Sequence, residues 1–199
     1  MIGEDPESVP VRTESVHGIT VYRYATVSTT MAIAREYVRA GKTGIIVADS
    51  QTAGRGRREH HWYSPPGGFY CSWIRNPSRL EERHVSELTA LAVVGMLKSY
   101  GVADCRIKLP NDIMISGGKI AGLLIQRTPP LLIVGLGINI NNTMKETFDT
   151  AVSLHGITGH ETPLAEILDR FVAGYLRCVE EMAVRMDSLL GEWSGLLLS

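Results

Sequence analysis

The segment Gly54-Arg-Gly-Arg-Arg-Glu-His-His-Trp62 gathers two glycines, three arginines and an aromatic ring within nine residues. Glycine lets a ligand approach the main chain closely. Arginine presents a planar fork of donors that fits phosphate or carboxylate, and Trp62 adds a flat apolar face for a ring. The combination suits a polyanionic ligand, although the same residues would also serve as a solvated basic hairpin or an electrostatic grip on nucleic acid. Two phosphate-binding signatures are missing: there is no GxxxxGK[ST], and Gly54-Arg-Gly does not continue as GxGxxG. A ligand here must be held by side chains as well as by amides.

Further along lie Lys108-Leu-Pro-Asn-Asp112, Gly117-Gly-Lys-Ile-Ala-Gly122 and Val134-Gly-Leu-Gly-Ile-Asn-Ile-Asn141. Lys119, between glycines and an apolar strand, is either a turn cation or a reactive-site cation. Pro110-Asn111-Asp112 makes a good turn, and a carboxylate at Asp112 beside a triphosphate would suit Mg²⁺. Ser28, Thr29 and Thr30 precede an apolar periodic run and are suited to capping a helix. Gly135 and Gly137 mark either a bulge or a close approach within a strand. His60, His61 and His84 lack the spacing of a zinc site, and GxSxG is absent.

In this order and at these spacings the motifs resemble the catalytic domain of biotin protein ligases, whose motifs read approximately GRGRxGRxW, KWPND, KxxGIL and GxGIN. The resemblance runs from Ile19 to Trp193. It implies biotin and MgATP as substrates, biotinyl-5′-AMP as intermediate and the lysine of a biotin carboxyl carrier domain as acceptor. By the same resemblance Lys119 bridges the attacking carboxylate and the α-phosphate, with Arg57 as a second catalytic group. Ser28, Thr29, Thr30 and Gln51 are expected on the ureido ring of biotin, Gly54, Arg55, Gly56 and Arg57 in the loop that folds over the ligand, and Gly122, Gly135, Gly137 and Ile138 as a close wall. Arg55, Arg57, Trp62, Lys108, Asn111, Lys119 and Asn139 are expected on ATP or the adenylate, and Asp112 on Mg²⁺.

The sequence departs from the pattern at four places. Glu59 stands where glycine is usual, His60 where arginine is usual, Leu109 where tryptophan is usual and Thr30 where asparagine is common. By this resemblance the family's helix-turn-helix domain is not expected ahead of Ile19, nor its small SH3-like domain after Trp193. Two rival readings follow from the same residues: a biotin or biotinyl-adenylate binder without turnover, and a lipoyl ligase of the same fold. A monomer and a homodimer both suit the family.

With 199 residues, 44% hydrophobic and 21% charged, the chain has the size and composition of one soluble domain. A formal net charge of −1 argues against a nucleic-acid partner held through its phosphate backbone. Cys71, Cys105 and Cys178 are odd in number and lack CxxC spacing, so neither a disulfide framework nor a zinc site follows. The acidic start lacks the apolar stretch of a signal peptide, and no apolar run is long enough for a membrane span. A cytoplasmic location is expected, with residues 1–16 as a flexible polar tail and 17–199 as the catalytic domain.

Seven short segments rich in Val, Ile and Tyr and bounded by turn residues read as strands: 19–25, 44–48, 69–74, 104–108, 113–115, 119–127 and 131–140. Several follow one another without a helix between them, so the sheet is expected to be mixed and largely antiparallel. The periodicity predicts helices starting after Ser28-Thr29-Thr30 and running to about Ala40, from about Glu81 to Tyr100, and from Thr162-Pro163 onward. The stretch from Leu88 to Leu97 is apolar on nearly every face and should be buried. Together these elements give an α+β fold with the helices packed on one side of the sheet. The resemblance adds that this fold is of the class II aminoacyl-tRNA synthetase and biotin protein ligase type.

Overall fold

The computed structural model describes residues 9–110, 112–143 and 150–198. One eight-stranded sheet runs through it. In chain order the strands are β1 (Arg12–Val16), β2 (Ile19–Val27), β3 (Gly44–Gln51), β4 (Phe69–Arg75), β5 (Cys105–Lys108), β6 (Asp112–Ile115), β7 (Gly118–Thr128) and β8 (Leu131–Ile138). Across the sheet they stand in the order β1-β2-β3-β4-β8-β7-β6-β5. Only β2 and β3 are parallel among the described pairings. A parallel pair cannot be closed by a hairpin and needs a crossover, which α1 (Thr30–Arg39) supplies.

Period-two alternation divides the buried residues of the central strands between two cores. Ile45, Val47, Cys71, Trp73, Val134 and Leu136 face a large core closed by α3 (Val85–Lys98) and α5 (Leu164–Gly195). Ile46, Ala48, Ile74 and Ile133 face the opposite way, onto Met31, Ile33 and Ala34 of α1. The α+β class and the mixed, mostly antiparallel sheet are as the sequence implies, but helices on one side only is incorrect. The crossover between β2 and β3 carries α1 to the other face.

Further differences are local. The tail expected over 1–16 becomes a strand from Arg12, where Arg23 of β2 pairs with Glu14 at 2.6 Å. Residues 1–8 lie outside the described residues. The helix expected over Glu81 to Tyr100 is two helices, α2 (Arg79–Arg83) and α3, because the chain breaks at His84 with φ −115° and ψ 21°. Thr29 occupies the N-cap of α1 without a side-chain bond to it. A short α4 (Leu154–Thr158), capped by the hydroxyl of Ser153, was not expected. Helix α5 bends at Arg185, and the chain beyond it returns to β5, where Ile107 donates to Leu196 O at 2.8 Å and Leu198 donates to Ile107 O at 2.9 Å.

Burial isolates the three thiols from one another and from solvent. It raises all three, and Cys178 is pushed up to about 11. The thiolate is the nucleophile. Alkylation by iodoacetamide at pH 8 is therefore expected to label none of the three in the folded protein and all three in urea, as counted by intact-mass spectrometry.

Candidate active site

The site lies on the α1 face of the sheet, where three glycines leave the floor bare. Gly122 of β7 stands directly opposite Gly137 of β8, and Gly135 lies two residues earlier on the same face. A Cβ at Gly137 would come within 2.5 Å of Trp62 Nε1, and one at Gly122 within 3.0 Å of the same ring. A Cβ at Gly135 would meet Met31 Sδ at 2.8 Å. The floor is thus glycine because an indole and a thioether lie on it. Gly137→Val is expected to displace Trp62 and abolish ligand binding at the site with little loss of secondary structure. Retention of binding by that variant in equilibrium dialysis would show that the indole is not seated there.

The loop that carries Trp62 closes on itself. Trp62 donates to Gly54 O at 2.9 Å, Gly56 donates to His60 O at 2.7 Å, and Arg55 bridges His61. The backbone turns through Arg58 at φ 50° and ψ 41°, a left-handed conformation that is uncommon outside glycine. Arg55, Arg57 and Arg58 bring three cations into this short loop. Fixed cations in this state create a positive field for an anion.

Lys119 reaches this face through an irregularity. The register runs Asp112↔Gly122 and Ile113↔Ala121, then shifts to Met114↔Lys119. Strict alternation would put Lys119 and Gly122, three residues apart, on opposite faces. The bulge re-aims the lysine, so that its Cε would be 3.5 Å from a Cβ at Gly122. Its Nζ lies 2.7 Å from Asp112 Oδ1 and 5.2 Å from the centre of the Trp62 ring. Asp112 Oδ1 is buried and takes no well-aligned hydrogen bond, so its contact with Nζ is an ion pair. The main chain of Lys119 is tied on both sides to the segment after the undescribed 144–149, donating to Thr150 O and accepting from Val152 N.

Two adjoining cavities result. The first, about 190 Å³, is lined by Thr29, Thr30, Met31, Gln51, Arg55, Gly56, Arg57, His60, His61, Trp62, Asp112, Lys119 and the three floor glycines, among others. The second, about 180 Å³, is lined by His61, Trp62, Tyr63, Lys119, Asn139, Thr150 and Ala151. Lys119 and Trp62 stand between them.

Most expected residues are brought together here, but several are not. Ile138 is fully buried on the opposite face, since it is one residue from Gly137, and cannot form the wall expected of it. Gly54 lies beneath the loop instead of lining either cavity, and a Cβ there would strike Trp62 O and Ser64 Oγ. Ser28 contributes its carbonyl to Ala53 N at 2.8 Å and lines neither cavity. Lys108 is exposed at the end of β5 and also lines neither. Asn139 borders the second cavity, yet it is buried and spends its amide on Val152 O and Lys119 O. Asn111 lies outside the described residues. Met31, Ser64, Ser72 and Leu124 belong to the site or its support and carried no signal in the sequence beyond their place in apolar elements.

Asp112 is the sole carboxylate lining the two cavities among the described residues. Those residues offer no cluster of three or more His, Cys, Asp or Glu side chains for a metal, and none of their helices is long and apolar enough to cross a membrane. One carboxylate fits a Mg²⁺ whose remaining ligands are phosphate oxygens and water.

An eight-stranded mixed sheet carries an arginine loop over a glycine floor, with a lysine between two cavities. The family model described as "Biotin/lipoate A/B protein ligase family" matches residues 24–141, and the chain belongs to that family. The biotin--[acetyl-CoA-carboxylase] ligase of Paracoccus denitrificans is 32% identical over 146 residues, covering 66% of this chain and 61% of its own length. The bifunctional ligase/repressor BirA of Bacillus spizizenii is 32% identical over 161 residues, 73% of this chain and 49% of its own length. The chain thus spans from about half to about three-fifths of these relatives. Among solved structures, the biotin protein ligase from Aquifex aeolicus in complex with biotin and ATP superposes with TM-score 0.77 at 26% identity, covering 89% of this chain and 78% of that one. The Leishmania major biotin protein ligase in complex with biotinyl-5-AMP, at TM-score 0.79 and 21% identity, shares the fold.

Proposed function

We propose that this chain activates biotin with ATP to biotinyl-5′-AMP and transfers biotin to a lysine of a biotin carrier domain. The observation that carries this reading is the position of the Lys119 ammonium, on the wall common to two cavities and over the Trp62 ring. A cation there faces the carboxylate of biotin on one side and the α-phosphate of ATP on the other. A biotin carboxylate oxygen forms a bond to the α-phosphorus, the bond from that phosphorus to the bridging oxygen breaks, and pyrophosphate leaves. Lys119 offsets the repulsion between the two anions and the charge that grows on the phosphorus oxygens. The carrier amine then attacks the acyl carbon, the bond to the phosphate oxygen breaks, AMP leaves and the amine gives up a proton.

The remaining roles follow from placement. Arg55 and Arg57 grip the phosphate, with Gly56 between them letting the loop lie close to it. Thr29, Thr30 and Gln51 take the uncharged ureido ring, and Gly122, Gly135 and Gly137 seat the Trp62 indole and the Met31 thioether that border it. Trp62 packs beside the adenine, with Asn139 bordering the nucleotide cavity. Mg²⁺ entering with the triphosphate would neutralise phosphate charge, and Asp112 is the carboxylate that would hold it. We place the protein in the cytoplasm, where ATP is supplied and its three free thiols stay reduced. The Lys119–Asp112 ion pair favours a second reading, a binder without turnover, because the pair neutralises the cation the chemistry needs.

Mixing the pure protein with biotin and MgATP separates the readings. Biotin-dependent pyrophosphate release marks a ligase, and binding without release marks a binder. Release with lipoate but not with biotin would move the substrate to the dithiolane acids.

A further inference from the structure

Two serines outside the residues assigned to the ligand control the hydrogens around it. The single hydrogen of the Ser64 hydroxyl goes to Trp62 O at 2.9 Å. Toward Gln51 the same oxygen can only accept, and it does so from Nε2 at 2.8 Å. That turns Oε1 toward Thr30, where it takes the backbone N–H at 2.9 Å and the hydroxyl at 3.3 Å. Thr30 Oγ1 in turn accepts from Ser72 Oγ at 2.8 Å within the sheet. After these bonds Gln51 keeps one amide hydrogen and Thr30 one lone pair. A ligand carbonyl fits the first and a ligand N–H fits the second.

The same chain of bonds reaches the loop. Ser64 is buried, and Gln51 also donates its backbone N–H to Ser64 O at 3.0 Å. Gly54 passes beneath this knot, where a Cβ would lie 2.5 Å from Ser64 Oγ and 3.1 Å from Gln51 Nε2. Above it the indole of Trp62 rests on Gly137 and under Lys119. Orientation of the Gln51 amide and position of the Trp62 loop are therefore fixed by one hydroxyl.

We propose that Ser64 is a positioning residue that fixes the facing of the Gln51 amide and joins it to the Trp62 loop, so that recognition of the ligand's head group and seating of the loop act as one unit. This rests on the reading of the first cavity as a biotin site. It makes the head-group preference a property of proton direction along Ser72, Thr30, Gln51 and Ser64. A ureido ring supplies both the N–H and the carbonyl, whereas a dithiolane supplies neither.

The test is a double-mutant cycle on the full chain, read by isothermal titration with biotin and by steady-state pyrophosphate release. Ser64→Ala is expected to weaken biotin binding roughly tenfold, the scale of one lost hydrogen bond, and to raise KM for biotin more than it lowers kcat. If Ser64 acts through Gln51, the same change in a Gln51→Ala background adds less than about twofold, the limit expected of a shared network. Ser64→Thr, which restores the hydroxyl, should recover affinity. Should the alanine variant not fold, Ser64→Cys keeps a weak donor in similar volume and carries the same comparison. An equal loss in both backgrounds, or no loss in either, overturns the proposal. Wild-type protein that neither binds biotin nor releases pyrophosphate removes the biotin reading itself, a result distinct from an active wild type with an indifferent Ser64.

Discussion

Lys119→Ala is expected to lower biotin-dependent pyrophosphate release by roughly 10²–10³-fold, the loss typical of removing one group aimed at transition-state charge. The fold should survive, because Lys119 is part-exposed, with its ammonium beside Asp112 and over the Trp62 ring at the edge of the cavities. Arginine at the same position keeps the charge but not its point-like geometry, so Lys119→Arg should recover only part of the rate. Asp112→Asn supplies the sharper control. It frees the ammonium from its 2.7 Å partner, and if Asp112 mainly restrains the lysine the rate should rise or hold, whereas a carboxylate needed for Mg²⁺ would lose activity that high Mg²⁺ partly restores. A folded Lys119→Ala protein that releases pyrophosphate at the wild-type rate would remove the lysine from the chemistry.

The largest loss of stability is expected at Glu81. Its carboxylate is 5% exposed and takes the Arg75 guanidinium at 2.6 Å and the Tyr175 hydroxyl at 3.1 Å. The guanidinium itself lies 4.4 Å from the Trp73 ring centre and 4.9 Å from that of Tyr175. Glu81→Ala leaves this part-buried cation between two rings without its anion, which costs about 3 kcal/mol, the low end for breaking a buried pair. At roughly 2–4 °C per kcal/mol for a chain of this size, the shift is easily read by calorimetry. Glu81→Gln keeps an acceptor for both partners and should lose much less. A melting temperature for Glu81→Ala within experimental error of wild type would mean that the pair contributes nothing to the fold.

Much of the fold and of the site is legible in the sequence, and the rest is hidden for definable reasons. The seven expected strands all form, because runs such as Ile45-Ile-Val and Leu131-Leu-Ile-Val carry their own β preference. Strand β1 reads as tail because Arg12-Thr-Glu-Ser-Val is a polar edge with little to bury, stabilised by the Glu14–Arg23 ion pair to β2 that no local pattern announces. The motifs named Lys119, Trp62, Gln51 and the glycines, yet not which face each would take. Ile138 shows the consequence, since alternation sends it away from Gly137. Lys119 shows the converse, because a bulge that depends on the pairing of β6 with β7 overrides alternation. Ser64 and Arg75 act through partners distant in sequence, and only the folded chain sets those contacts.

The return of the chain to β5 bears on how copies of this molecule can associate. An unpaired edge offers a row of donors and acceptors to any passing strand, and growth without limit by strand addition needs two such edges on every molecule. Leu196 and Leu198 occupy the row at Ile107, which leaves β1 as the edge without a strand beside it among the described residues. With one edge per molecule, β1 against β1 closes the same patch on itself. Lateral addition through β1 would then end at a pair, while on the other side of the sheet the position at Ile107 is already taken.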